Sequence, residues 1–300
     1  LSAADGAAFC EHGIYRINYV GSSAGIFSFQ VAEGAAGTQS PLSICRNRFN
    51  DNIAVAYYLG EDGFYAFDGM TSTPIGEQKV NRFFLNDLNP AYLSMVQGGS
   101  VPNRALVYWL YNSSSGQAAN GLYDKMIVYH TVLQRWSYID LAATNAEWGL
   151  ISVGVGTTLD ALDVYGSLDA VPAPLSSGAW EGGTPVLAAF DAAHKLNFIN
   201  GTYMAPTVET SEMQPTPGRR SIITSARPLI DGGSPSIAVA TRDRLLDSPA
   251  YGSAVAVNSI GECPQHTTGR YVRCRLTLPA ASAFTHLQGV ELETRPEGRR

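Results

Sequence analysis

The sequence has few cysteines and no apolar run long enough to span a membrane. Its four cysteines are too few and too scattered for the disulfide framework of a small secreted domain. No segment has the pattern of a signal peptide, and residue 1 is Leu rather than Met. These features predict a soluble protein that folds in a reducing cytoplasm, and they leave residue 1 in doubt as the start of the gene product.

Charged residues are also scarce, and lysine is almost missing. Charged residues make up 15% of the chain, with 3 lysines against 17 arginines and a net charge of −6. The first 200 residues carry 9 − 17 = −8, whereas the last 100 carry 11 − 9 = +2, all from arginine. Two explanations of the excess of arginine over lysine are open. One is a GC-rich coding sequence, and the other is that arginines dock on acidic protein surface by pairing bidentately with carboxylates. General binding to nucleic acid is disfavoured, because it needs a clearly basic face.

The common motifs of catalysis and metal binding are missing from the sequence. No H-E-x-x-H, Walker A loop, paired C-x-x-C or EF-hand loop occurs. Residues 21–25 match G-x-S-x-G, but a β-patterned run follows where that motif needs a helix, which favours a hairpin turn. Glu61, Asp62 and Asp68 suit turns better than a Ca²⁺ site, because no acidic cluster completes a coordination shell. The sequence therefore predicts no catalytic residues, no metal and no cofactor.

Turn-forming and aromatic residues are plentiful. Thirty glycines and 16 prolines accompany 15 tyrosines and 11 phenylalanines, which favour strands. In residues 57–69, two β-patterned runs are each closed by an Asp-Gly pair, which supplies the positive φ of a tight turn. Weaker copies of this hairpin occur at Met126–Asp140 and Val186–Gly201, about 60 to 70 residues apart. An all-β fold of β-propeller-like blades is the prediction.

One segment departs from the β pattern. Val80, Phe83 and Phe84 have helical spacing, and Asn89-Pro90 offers an N-cap followed by proline at the first helical position. A small helical insertion at about residues 79–96 is therefore predicted. It lies within a predicted propeller region of residues 1–200. The N-terminal part of this region is incomplete if residue 1 is not the true start.

The pattern of the predicted strands changes near residue 201. Residues 201–300 are predicted to form a β-sandwich-like module that closes or docks on the propeller. Within residues 269–278, apolar side chains alternate with a face that includes Arg273 and Arg275. These two arginines, followed by Arg219 and Arg220, are the predicted subunit-interface residues, with solvated surface arginines as the alternative.

Three passages carry a resemblance to a known family. They are Gly60–Gly69 with Pro74-Ile75-Gly76 and Lys79-Val80; His194–Gly201 with Glu209-Thr210 and Pro217–Arg220; and Gly269–Arg273 with Gly289-Val290-Glu291 and Gly298-Arg299-Arg300. On these passages the chain resembles bacteriophage tail nozzle, tail hub or packaged-DNA stabilisation proteins of short-tailed phages.

The resemblance implies a structural virion protein rather than an enzyme. It would be assembled in the host bacterial cytoplasm, in a ring of commonly six copies below the portal and adaptor. The ring would form the DNA exit channel and retain the genome, with tail fibre or needle proteins as further neighbours and DNA passing without sequence-specific binding. A receptor-binding or fibre-anchoring tail protein is the first alternative. A carbohydrate-active propeller enzyme is the second, with the carboxylates Asp124, Asp140, Asp160 and Asp163 as its candidates.

Overall fold

The computed structural model describes residues 5–22, 25–32, 34–47, 55–101, 104–116, 121–141, 146–154, 163, 166–167, 170, 185–199 and 202–297. The chain divides into two compact units, Leu1–Asn200 and Gly201–Arg300. Within the described residues, no helix is both long enough and apolar enough to cross a membrane.

The N-terminal unit consists of four small antiparallel sheets that follow one another along the chain. The first sheet contains β1 (Asp5–Phe9), β2 (Ile14–Ser22) and β3 (Gly25–Val31), and the second β4 (Cys45–Asn47), β5 (Val55–Leu59), β6 (Phe64–Phe67) and β7 (Ser72–Pro74). The third contains β8 (Gln97–Val101), β9 (Leu106–Tyr111), β10 (Lys125–His130) and β11 (Arg135–Asp140), and the fourth β12 (Ala146–Gly154), β13 (Pro185–Asp191) and β14 (Leu196–Phe198).

The turns of the second sheet form for the reason that the sequence suggests. Gly63 and Gly69 follow Asp62 and Asp68 and adopt φ values of 148° and 101°, a region that favours glycine. The Asp68 carboxylate accepts hydrogen bonds from the backbone N–H groups of residues 70 and 71, both at 2.7 Å. These bonds lower the pKa of Asp68. The two Asp-Gly pairs therefore stabilise the β5–β6–β7 meander.

The four sheets stack face to face through three apolar layers. Ile14 of β2 packs with Tyr58 and Phe67 between the first and second sheets. A second layer joins residues of β5 and β6 to alternate residues of β9 and β10: Leu59, Phe64, Val107, Trp109, Ile127 and Tyr129. The opposite face of β9 and β10 contributes Tyr108, Leu110 and Met126 to a third layer that contacts Leu187 of β13. Sheets buried on both sides explain the long apolar runs of the sequence.

The predicted helical insertion is present between the second and third sheets. It contains α1 (Asn81–Asp87) and a 3-10 helix (Pro90–Met95), while another short 3-10 helix spans Pro41–Ser43. The Asn89 side chain accepts a hydrogen bond from the Ala91 N–H at 3.2 Å, which confirms the predicted cap. Of the residues with helical spacing, Phe84 is fully buried, whereas Phe83 is 43% exposed and contacts the Tyr138 ring.

The C-terminal unit consists of two antiparallel sheets around one core. Its strands are β15 (Thr207–Glu209), β16 (Ser221–Ile230), β17 (Ser236–Arg242), β18 (Ala250–Tyr251), β19 (Val255–Ala256), β20 (Cys263–Gly269), β21 (Tyr271–Thr277) and β22 (Leu287–Pro296). One sheet contains β16, β20 and β22, and the other contains the remaining five strands. The predicted alternation in β21 is confirmed, because Val272, Cys274 and Leu276 are all buried between the sheets.

The predicted fold class is confirmed by this architecture. Small antiparallel sheets stacked in chain order form the propeller-like part, with the helical insertion between two of them. Two sheets enclosing a shared core form the β-sandwich-like module. All four cysteines are free thiols. Burial raises the pKa of Cys274 to about 11, which keeps this core thiol protonated.

Candidate functional site

The first sheet carries an apolar face on its outer side. In the β2–β3 hairpin, Tyr15 is paired with Val31, Ile17 with Phe29, and Tyr19 with Phe27. Cross-strand partners point to the same side of a sheet, and alternate residues share a face. These six side chains therefore form one continuous apolar face, called the β1–β3 face below.

The β1–β3 face is exposed to solvent in the isolated chain. Five of its six side chains are between 42% and 66% exposed, and only Ile17 is partly covered. Its four aromatic rings alone expose on the order of 450 Å². Monomeric proteins rarely expose a continuous apolar patch larger than a few hundred Å². The size of this face makes it the candidate functional site of the N-terminal unit.

The opposite side of the same hairpin is mixed, because it includes Val20 and Ile26, which are 54% and 63% exposed, as well as polar residues. It starts with the buried Ile14 and continues with Arg16 and Asn18, which pair with Gln30 and Ser28. The Asn18 amide lies 3.5 Å from the Gln30 side-chain oxygen. Water alone would favour the reverse arrangement, with polar groups outside. The β1–β3 face is therefore the more apolar side of the hairpin, although it is the side that faces away from the second sheet.

Sequence reasoning did not identify this face. The alternation of Tyr15, Ile17 and Tyr19 is visible in the sequence, and residues 26–31 supply a second run after a turn. The pairing register decides which residues of the second run join the first, and it is not visible in either run alone. Alternating aromatics in both arms of one hairpin are the signal that could have indicated the face.

A polar cluster lies at the end of α1, against the third sheet. Asp87 Oδ2 accepts hydrogen bonds from Lys125 Nζ at 2.7 Å and from the Tyr111 hydroxyl at 3.0 Å. Ser115 Oγ lies 2.7 Å from Lys125 Nζ and 2.5 Å from Asp87 Oδ1. Burial alone would raise the pKa of Asp87, but the hydrogen bonds from Lys125, Ser115 and Tyr111 outweigh it and lower the pKa.

This cluster is a structural clamp rather than an activated nucleophile. Lys125 Nζ donates to Ser115 Oγ and to the Asp87 carboxylate, and Ser115 Oγ donates to the same carboxylate, so the three side chains hold one another in place. Next to it, the buried Asp124 accepts hydrogen bonds from Ser113 N–H at 2.7 Å and from Ser113 Oγ at 2.6 Å. These bonds attach the loop after β9 to the start of β10. Among the other carboxylates considered from sequence, Asp160 lies outside the described residues.

The predicted interface arginines of β21 are paired within their own unit. Glu209 bridges them, with Arg275 Nε at 2.6 Å and Arg273 Nη1 at 3.5 Å from its carboxylate oxygens. The Arg275 guanidinium also lies 3.8 Å from the centre of the Tyr251 ring. Burial alone would raise the pKa of Glu209, but the hydrogen bond and charge of Arg275 outweigh this effect and lower the pKa.

The other two predicted interface arginines lie just before β16, which belongs to the other sheet of this unit. Arg220 Nε lies 2.9 Å from Glu297 and 3.4 Å from Asp243, whereas Arg219 is exposed in a turn. The structure therefore brings Arg273 and Arg275 together on one face and places Arg219 and Arg220 elsewhere. A role of these residues between subunits stays a prediction.

Replacing Arg275 with Ala is expected to lower the free energy of unfolding slightly, because one partly exposed ion pair and one cation–π contact are lost. Chemical unfolding of the full chain measures this change. Arg219→Ala, in an exposed turn, is the matched control and is expected to stay within about 0.5 kcal/mol of wild type. Equal stability of both variants would show that the Glu209 pair contributes nothing to the fold.

Within the described residues, no group of three or more His, Cys, Asp and Glu side chains is arranged to hold a metal ion. Asp62 accepts a hydrogen bond from the Tyr65 hydroxyl at 2.6 Å, and Asp68 binds its own turn as described above. Cys263 and Cys274 are both buried in the C-terminal core.

Comparison with known proteins finds similarity only to solved structures. No protein family and no curated protein matches the sequence. Two crystal structures of exo-β-1,3-galactanase variants from Phanerochaete chrysosporium, in complex with β-1,3-galactotriose, share 12% identity with this chain at a TM-score of 0.27. Each alignment covers 94% of this chain and 74% of the enzyme. A further glycoside hydrolase shares 8% identity at a TM-score of 0.23, over 96% of this chain and 83% of that one.

The function predicted from sequence, a structural component of a phage tail, is contradicted by this comparison, because these matching structures are glycoside hydrolases. The reason for the error is physical: the hairpins and Asp-Gly turns that carried the resemblance serve any propeller-like sheet, whatever its function. TM-scores this low carry no argument that the chain has the activity of those enzymes. The resemblance itself, the virion location, the predicted neighbours and the passage of DNA stay predictions.

Proposed function

We propose that this chain is an oligomerisation module that associates with further copies of itself through the β1–β3 face. The exposure of Tyr15, Tyr19, Phe27, Phe29 and Val31 on one side of a regular sheet is the observation that supports the proposal. The sheets of this unit pack on one another through apolar faces. A second copy could pack on the β1–β3 face in the same way. The proposal describes assembly and includes no catalytic step.

The energetics make association favourable but dependent on a well-fitted partner. Removing about 450 Å² of apolar surface from water at about 25 cal/mol per Å² contributes roughly 11 kcal/mol. Lost translational and rotational freedom costs about 4–15 kcal/mol. The β1–β3 face alone therefore gives a modest net gain, and a stable oligomer needs a partner surface that is also apolar.

The test is the oligomeric state of the purified chain, measured by sedimentation velocity over a range of concentrations. Wild type is expected to form species larger than one chain. Phe29→Lys places a charge at the middle of the face and is expected to weaken association by about 30-fold or more, the equivalent of losing a hot-spot residue worth about 2 kcal/mol.

Leu246→Lys is the matched control, because Leu246 is 97% exposed and lies in the C-terminal unit. It is expected to associate like wild type, and circular dichroism checks that both variants stay folded. Wild-type protein with the mass of one chain at every concentration would overturn the proposal. Equal weakening by Phe29→Lys and Leu246→Lys would show that association is nonspecific.

A further inference from the structure

The fourth sheet of the N-terminal unit also carries an exposed apolar face. Phe190 of β13 is paired with both Trp148 of β12 and Leu196 of β14, so the three side chains share one side of the sheet. Phe198, two residues after Leu196, lies on the same side. Trp148, Leu196 and Phe198 are between 38% and 43% exposed. These four residues are called the β12–β14 face below.

The β12–β14 face points away from the rest of the stack. The other side of the same sheet contains Leu187 and Ala189, which pack against the third sheet. Gly149 follows Trp148 and faces inward, because a Cβ at this position would overlap Leu110 Cδ1 of the third sheet. Trp148 is therefore directed to the outside by the alternation of the strand.

The β1–β3 face and the β12–β14 face thus belong to the first and the last of the four sheets that pack in chain order. Three apolar layers join the four sheets in chain order, each between one sheet and the next. The stack begins and ends with an apolar face that none of these three layers covers. A second copy placed against either end would continue the same sheet-on-sheet packing.

We propose that the β1–β3 face of one copy packs against the β12–β14 face of the next, so that copies associate head to tail. This inference rests on the proposed function, and it names the surface that the β1–β3 face binds. Contacts between two different faces are heterologous, and they produce closed rings when the rotation between neighbours closes and open filaments when it does not. A symmetric pair of β1–β3 faces would leave the β12–β14 face of both copies exposed.

The areas of the two faces fit such a contact. The exposed parts of Trp148, Leu196 and Phe198 add on the order of 250 Å² to the roughly 450 Å² of the β1–β3 face. A stable interface buries about 1,600 Å² in total, and somewhat more than half of this area is apolar. The two faces together therefore supply most of the apolar centre of an ordinary interface, and polar residues around them supply the rim.

A mixing experiment tests the head-to-tail contact. Phe29→Lys blocks the β1–β3 face and leaves the other face intact, whereas Trp148→Lys does the reverse. Each variant alone is expected to lose the higher oligomers of wild type. Mixed in equal amounts, with one variant isotope-labelled, they are expected to form a species of two chains, one of each kind, in native mass spectrometry, because one intact pair of faces remains.

Leu196→Lys is a second variant of the β12–β14 face, in case Trp148→Lys fails to fold, and the thermal unfolding midpoint reports folding of each. If the folded variants of the β12–β14 face associate like wild type, the head-to-tail contact is wrong while the proposed function stands. If wild type itself is a single chain at all concentrations, both are wrong. If the mixed variants stay as single chains although wild type associates, the two faces do not bind each other.

Discussion

Trp109→Ala is expected to lower the free energy of unfolding by about 4 kcal/mol, the largest effect of any single truncation considered for this chain. Trp109 is fully buried in the layer between the second and third sheets. Its ring centre lies 4.5 Å from that of Phe64 and 5.8 Å from that of Trp136. The substitution would leave a large cavity among rigid aromatic rings, which relax poorly.

A hydrogen bond adds to this loss. Trp109 Nε1 donates to the backbone oxygen of Ser43 at 3.0 Å, and this bond is buried. Trp109→Phe is the matched variant, because it keeps one aromatic ring and removes the donor, so a loss smaller than that of the alanine variant is expected. Urea unfolding of the full chain, followed by tryptophan fluorescence and circular dichroism, gives both values. A change below about 1 kcal/mol in Trp109→Ala would show that this layer does not hold the unit together.

Gly98→Ala is expected to destabilise the protein by about 2–3 kcal/mol, although it adds only one methyl group. Gly98 is the cross-strand partner of Trp109 in the β8–β9 pair. A Cβ at this position would overlap the carbonyl group of Ser43 and lie 3.0 Å from Trp109 Nε1. Because the obstacle is backbone, it cannot swing away like the end of a flexible side chain.

Gly13→Ala is the control for this substitution. A Cβ at Gly13 would meet no heavy atom within 4 Å, and this glycine does not have a positive φ. Its unfolding midpoint in urea is expected to stay close to that of wild type or to rise slightly, because alanine reduces the freedom of the unfolded chain. If Gly98→Ala unfolds at the same urea concentration as Gly13→Ala, the close approach of Ser43 to Gly98 does not constrain the fold.

Local chemistry made several elements predictable. Asn89 followed by proline identified the start of a helical turn, because a side-chain cap and a fixed φ act within a few residues. The Asp-Gly pairs ending at Gly63 and Gly69 identified turns for the same reason. The alternation of Val272, Cys274 and Leu276 identified the buried side of a strand.

Local chemistry could not show where distant parts of the chain meet. Phe83 has helical spacing with Val80, but it faces Tyr138 at the surface rather than the core, and only the position of β11 decides this. The role of the β21 arginines between subunits stays a prediction, but their partner within the chain, Glu209 of β15, lies more than sixty residues away in the sequence. Sequence spacing cannot show which strand becomes the neighbour.

The candidate site shows the same limit. Each arm of the β2–β3 hairpin shows its own alternation in the sequence, but its register with the other arm selects the six side chains of the β1–β3 face. The faces of β5 and β9 are covered by neighbouring sheets, whereas the β1–β3 face is not. The packing order of the sheets decides this difference.

The sequence by itself determined the all-β class, the hairpin turns, the helical insertion and the inward side of β21, because each depends on conformational preferences over a few residues. Only the tertiary structure decided which apolar surfaces of the described strands are buried between sheets and which, such as the β1–β3 face and the β12–β14 face, stay exposed. The hydrophobic effect is non-directional, so an apolar strand face can pack equally well against a neighbouring sheet of its own chain or against a second copy.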